Sequence, residues 1–262
     1  MVKCFRKASL AAVLMSVMGV LPMPGEWQGA IHAADQAPPD VKSGEAQQGQ
    51  KFDFEKDKAG SEPQSFAPMV GDWYVVDDHG NKCFAVDGRK WAKGKVASGV
   101  ADKARALYGE RYAEFLDPVQ TYAYFPLAVC KDVNEFTSGD ITVRFKAVSG
   151  RIDQAAGIAF NIRPNGDYLI LRANALEHNI VLWKYQRGHR KKLKWISHVT
   201  TPTGHWHELA LRVEGSNIKG YFNGRKVLEY VWQAPVKGKV GLWSKADSVA
   251  YFDDFVVVPE KG

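Results

Sequence analysis

Residues 157–185, GIAFNIRPNGDYLILRANALEHNIVLWKY, hold three short runs of aromatic, leucine and β-branched side chains separated by two polar turns. Pro164-Asn165-Gly166-Asp167 joins the first two runs. Proline presets one φ, asparagine bonds its own backbone, and glycine takes positive φ without a steric cost, so this is a turn. Short apolar runs bounded by such turns read as antiparallel strands in hairpins. Alternation then assigns faces. Ile158, Phe160 and Ile162 fall on one side and Ala159, Asn161 and Arg163 on the other; past the turn, Tyr168, Ile170, Arg172 and Asn174 lie opposite Leu169, Leu171 and Ala173.

The same pattern extends in both directions. Strands are expected over 72–76, 141–147, 168–172, 180–185, 207–213, 218–222, 226–230, 240–243 and 251–257 as well as 157–162. Glu214-Gly215-Ser216-Asn217 and Asn223-Gly224 mark two further hairpins. Many short strands at close spacing specify an all-β, two-sheet antiparallel jelly-roll sandwich. One segment dissents: VADKARALYGERYAEFL, residues 100–116, has helix formers with apolar residues at Ala104, Leu107, Tyr108 and Phe115. It is expected to be a helical insertion over about 98–117, ended by Asp117-Pro118.

The start of the chain has another character. Lys3, Arg6 and Lys7 precede an apolar run from Ala8 to Val20, and small residues follow at Ala33 and Ala34. That three-part layout predicts a cleaved signal peptide over 1–34, and hence a secreted, periplasmic or extracellular protein. The run is shorter than the ~20 residues that span a bilayer. Residues 35–50, DQAPPDVKSGEAQQGQ, are polar and lack aromatic residues, as in a disordered linker, leaving 51–262 for the jelly-roll domain. Without the leader's three bases and one acid the net charge falls from +6 to +4, too mild to demand a nucleic-acid partner. Cys83 and Cys130 remain. A bridge between them would close a loop of about 47 residues and stabilise by ~3–4 kcal/mol; two buried free thiols are the alternative.

Three stretches, GIAFNIRPNGDYLILRANALEHNIVLWKY, WHELALRVEGSNIKGYFNGRKVLEY and GKVGLWSKADSVAYFDDFVV, resemble the concanavalin A-like lectin/glucanase superfamily. The nearest likeness is to secreted bacterial laminin G-like and 3-keto-disaccharide hydrolase (family 16-like) domains. The resemblance covers roughly 52–258 and implies a concave sheet carrying any ligand site, without implying one activity.

Catalytic signatures are scarce. Retaining jelly-roll glucanases place two carboxylates on one strand in an E-x-D-x-E run, about 5–5.5 Å apart. No such run occurs: Glu208 and Glu214 have no aspartate between them, and Asp77-Asp78 and Asp253-Asp254 are adjacent and point to opposite faces. His205 and His207 read as a surface pair beginning a strand rather than two metal ligands. No cofactor is indicated, although an oxygen-ligated Ca²⁺ stays open because backbone carbonyls leave no sequence trace.

The polar face assigned above is the candidate site. Asn161, Arg163, Tyr168, Arg172, Asn174 and Glu177, joined across the next strand by Trp183 and Tyr185 or by Lys184, would offer fixed donors and aromatic surfaces to a sugar. The competing reading makes Arg172, Asn174 and Glu177 an internal network that holds the hairpin. The basic tip, with Lys184, Arg187, Arg190, Lys191, Lys192 and Lys194, reads as solvated charge that protects a sheet edge. The expectation is therefore a module that binds carbohydrate or a cell-envelope glycan without hydrolysing it. Its rivals are a 3-keto-glycoside hydrolase or lyase using Glu177 or His178 beside Arg172, and a protein-binding scaffold with an apolar patch at the sandwich rim, for which the helical insertion is one place.

Overall fold

Strands β6 (Gly139–Ser149) and β11 (Trp206–Glu214) alternate buried and half-buried side chains along almost their whole length. They pair antiparallel with Val143 opposite Leu209, at the centre of one sheet. On one side follow β12 (Asn217–Phe222) and β13 (Arg225–Val231); on the other, β15 (Val249–Pro259), β4 (Asn81–Asp87) and β3 (Trp73–Asp78). The short β1 (Gln50–Phe52) also pairs with β15, so Gln50, the last residue of the stretch expected to be linker, is part of the sheet. The second sheet runs β10 (His189–Ser197), β9 (Asn179–Gln186), β8 (Tyr168–Asn174), β7 (Ala155–Ile162), β14 (Lys239–Ser244), β5 (Leu127–Cys130) and β2 (Phe66–Val70). This computed structural model describes residues 49–90, 96–119, 124–186 and 188–260, all within one compact unit. The leader, most of the linker and Arg187 lie outside the described residues. No described helix is long and apolar enough to cross a membrane.

The inner faces of the two sheets enclose the main core, where Trp73, Phe84, Phe145, Phe252 and Phe255 of the first sheet meet Phe66, Phe160, Leu169, Leu171 and Leu182 of the second. Each such side chain stabilises by ~1.5–3 kcal/mol relative to exposure. The second sheet has a further feature. Every residue of β7 and β8 is buried, which a sheet with one wet face cannot produce. Its outer face is sealed by the insertion, formed by α1 (Val100–Tyr108), a 3₁₀ turn and α2 (Tyr112–Val119). Ala104, Phe115 and Val119 join Ile170, Trp183, Tyr185 and Trp243 in a second apolar cluster.

Several expectations change accordingly. The insertion is two helices because Gly109 takes φ 56° and breaks the run, and α2 continues through Pro118 to Val119. Ile162 packs in the second cluster rather than with Ile158 and Phe160. Asn161 has φ 52°, and the pairing of β7 with β14 slips at that point; a bulge reverses the alternation that follows it. Cys83 and Cys130 are free and buried in different sheets. Of the two readings of this pair, the buried free thiols hold, because Cys130 points into the main core, whereas Cys83 bonds Asn81 outside it. His207 is buried and stacks on Phe222 at 5.2 Å, so it does not form a surface pair with His205.

Candidate functional site

Strand pairing lays the outer face of β8, β9 and β10 in rows. Tyr168 lies beside Tyr185 and Arg190, Ile170 beside Trp183 and Lys192, Arg172 beside Val181 and Trp195, and Asn174 beside Asn179 and Ser197. The β8 and β9 members of the first two rows join the apolar cluster of the insertion, while Arg190 and Lys192 are exposed. The last two rows lead to the β8–β9 hairpin, and a polar cluster forms there.

Arg172 is the centre of that cluster and is only 1% exposed. Its guanidinium donates to Asn179 Oδ1 at 2.5 Å and to Glu177 Oε2 at 2.8 Å. Asn179 Nδ2 donates to the same Glu177 oxygen at 2.9 Å. Asn174 Nδ2 donates to the buried Asp153, which also pairs with Lys245. Asn174 Oδ1 accepts the backbone N–H groups of Leu176 and Glu177, shaping the turn that presents Glu177. Room for the guanidinium stem comes from Gly157, directly opposite Arg172; a β-carbon there would lie 2.8 Å from Arg172 Cβ.

A second carboxylate holds the loop that supplies Asp153. Asp247 accepts backbone N–H groups from Arg151 at 2.7 Å, Ile152 at 3.0 Å and Asp153 at 3.0 Å. Burial alone would raise its pKa, but the three amides hold it below the usual aspartate value. Glu177 behaves similarly. Burial opposes its charge, and the bonds from Asn179 and the Arg172 charge outweigh that, leaving the carboxyl below the ordinary glutamate value. Asp153 goes the other way because burial dominates over Lys245 and raises it. Burial likewise lowers Arg172, with Glu177 opposing.

Exposed apolar side chains lie beside this floor in sequence or in space. The large apolar residues exposed among the described residues are Tyr124, Ile152, Leu176, Trp195 and Val231. Ile152 adjoins Asp153, and Leu176 adjoins Glu177. The Trp195 ring lies 5.8 Å from the Arg172 guanidinium carbon. Tyr124 has its hydroxyl raised by burial and then by the charges of Asp153 and Asp247. Arg190 stacks on Trp183 at 4.1 Å, and Lys192 lies 5.3 Å from the Trp195 ring.

The eight residues expected to form one surface thus divide. Arg172, Asn174 and Glu177 belong to the cluster, as the internal-network reading had it. Trp183, 9% exposed, lies under Arg190. Tyr168 and Tyr185 stack at 4.8 Å and are covered by Phe125, so they fill the second core instead of offering a platform. At that far end Asn161 Oδ1 accepts from the Lys237 N–H at 2.9 Å and from Arg163. The crevice beside Tyr168, Tyr185 and Trp232 holds only about 50 Å³, too small for a sugar. Trp195, Arg190, Asp153, Asn179, Lys245 and Tyr124 were not among the expected residues. Alternation along 189–197 carries a signal for the first two once a strand is recognised there; nothing local marks Asp153 or Lys245.

No family model matches the chain, and no curated protein matches it. Similar solved structures exist. The carbohydrate-binding module CBM66 from Bacillus subtilis aligns with a TM-score of 0.52 at 13% identity, over 76% of this chain and 98% of that one. A protein of unknown function with a galectin-like fold from Bacillus subtilis gives 0.48 and 15%, over 78% and 99%. A β-1,3-1,4-glucanase (lichenase) derived from a mouse hindgut metagenome gives 0.49 and 11%, over 81% and 99%. At such identities the likeness is one of architecture. The chain therefore has the concanavalin A-like jelly-roll fold, in a form whose second sheet is partly sealed by a helical insertion.

Proposed function

We propose that the protein binds carbohydrate at the open end of the second sheet and does not hydrolyse it. The observation that carries this reading is the exposed Trp195 ring lying 5.8 Å from the guanidinium carbon of the buried Arg172, whose partner Glu177 is partly exposed. Aromatic faces cover the C–H side of a sugar ring, while fixed donors and acceptors below satisfy its hydroxyls. Glu177 supplies the accessible acceptor, being 36% exposed, and Lys245 the donor. The architecture shared with a carbohydrate-binding module supports the reading at the level of fold. The leader-like start supports export to a compartment where envelope or extracellular glycans are met. Ala104, Phe115 and Val119 of the insertion are buried on the sheet, which leaves the sandwich rim for the scaffold reading's apolar patch.

A glycan array run with Ca²⁺ and with chelator, beside Trp195→Ala, tests the proposal. Selective binding that weakens about tenfold or more in the variant supports it, in keeping with ~1–2 kcal/mol from one aromatic contact. An absence of binding, or equal binding by the variant, refutes it. Glu177 beside Arg172 favours one rival, turnover of 3-keto-glycosides, because its carboxyl is held in the proton-accepting form. Turnover abolished by Glu177→Gln would establish that rival instead.

A further inference from the structure

A second cleft opens at the opposite end of the same sheet, between the insertion and the ends of β7 and β14. It encloses about 800 Å³, and its walls include Tyr108, Arg111, Arg163, Lys237 and Lys239. That volume suits a molecule of mono- to disaccharide size and far exceeds a bare ion.

The charges in this cleft do not balance. Arg111 is neutralised by Glu114 at 2.8 Å, and Lys237 lies 3.7 Å from Glu135. Lys239 has no acidic partner among the described residues, although it is only 7% exposed. Arg163 bonds only neutral oxygens, Asn161 Oδ1 and Pro235 O, each at 3.3 Å. The Tyr108 hydroxyl is buried and has no hydrogen-bond partner among the described residues. A lysine side chain this buried without a counter-ion is costly even where its ammonium reaches the cleft, and no carboxylate among the described residues offsets it. Burial accordingly pushes Lys239 below the usual lysine range. An anion arriving from outside would supply the missing counter-charge.

We propose that this cleft binds a small sugar-sized molecule bearing a carboxylate or phosphate, its anion held by Lys239 and Arg163. Lys239 provides the desolvated point charge at the base, and Arg163 the planar fork at the mouth. The site is independent of the carbohydrate face proposed above, because Trp195 and the Arg172 cluster stand at the other end of β8 and β9.

Isothermal titration with glucose 6-phosphate, glucuronate, inorganic phosphate and glucose tests the proposal. Glucose 6-phosphate or glucuronate should bind while glucose does not, and the two responses tell phosphate from carboxylate. Lys239→Met should weaken that binding about tenfold or more, the scale of one charge-assisted bond. The same variant should melt about 2–4 °C higher, because an unpaired buried charge has been replaced by an apolar chain of similar length. Arg163→Gln, at a half-buried position, should weaken binding at least several-fold without disturbing the core. Trp195→Ala should leave it unchanged. The proposal is overturned by no binding of either anion at about 10 mM, by inorganic phosphate binding as tightly as the sugar phosphate, or by a Lys239→Met protein that binds normally or melts lower.

Discussion

The two sheets are built from similar sequences and sit in different surroundings. In the first sheet, β6 and β11 show water one face, and their side chains alternate accordingly. In the second, β7 and β8 are buried on both faces, because the α1–α2 insertion adds a third layer. Alternation in sequence therefore means different things in the two places. A polar residue on the outer face of the first sheet is solvated. A polar residue on the outer face of the second loses its water, and Arg172, Asn174 and Asn179 there bond to Glu177, to Asp153 or to each other. Where the third layer stops, that obligatory network meets solvent, and there the candidate carbohydrate site lies.

Three substitutions sharpen or break this contrast. Trp243→Ala removes a fully buried ring from the second cluster and should cost about 3–5 kcal/mol in urea unfolding, as for a main-core aromatic. Lys226→Ala, on the wet side of the first sheet, should stay within about 0.5 kcal/mol. Comparable small losses in both would show that the insertion does not seal the second sheet. Gly157→Ala comes next. Its β-carbon would meet Arg172 Cβ and the Leu171 carbonyl oxygen, each at 2.8 Å, so a loss of about 1–3 kcal/mol is expected. A neutral result would mean that β7 and β8 yield more readily than a sheet packed on both faces should.

The smallest effect concerns pH. Glu177 has its folded pKa lowered, so between that value and the ordinary 4.5 the unfolded chain binds more protons, and stability rises with pH. Its contribution is complete above the ordinary value and is lost as pH falls through the folded one. Asp153 has its folded pKa raised, so its share has the opposite slope and falls as pH rises above the ordinary 3.8. Glu177→Gln should therefore flatten the acid limb of a urea-midpoint profile measured from pH 7 to 3, by less than about 1 kcal/mol for so exposed a group. An unchanged acid limb would separate Glu177 energetically from Arg172.

Much of this was legible in the sequence. The strands from β6 to β9 and from β11 to β15 announce themselves by alternation and by turns such as Asn223-Gly224. Others were silent for identifiable reasons. Pro68 sits within β2, which is tolerated because β2 is an edge strand and its pairing with β5 shifts there. In β10 the run HRKKLKW puts lysines on both faces, so no apolar stripe marks it. At the site, Arg172, Asn174 and Glu177 share one hairpin and could be grouped from spacing alone. Asp153 and Lys245 could not, since eight strands and two passages between the sheets separate them in the chain. The insertion was recognised as helical, but its amphipathic face does not reveal which sheet it will cover.

The sealed sheet also bears on the order in which the molecule assembles and opens. β7, β8 and β9 reach their native surroundings only after two layers distant in sequence have settled on either side of them. Their amides should then be among the last to exchange with solvent, while the helices that roof them, joined to the sheet by a thin apolar contact, open first. Each such opening would bare Trp183, Tyr185 and Trp243 for a moment. The lysine-rich β10, lying at the margin of that surface, would then discourage a second molecule from adding its own strand.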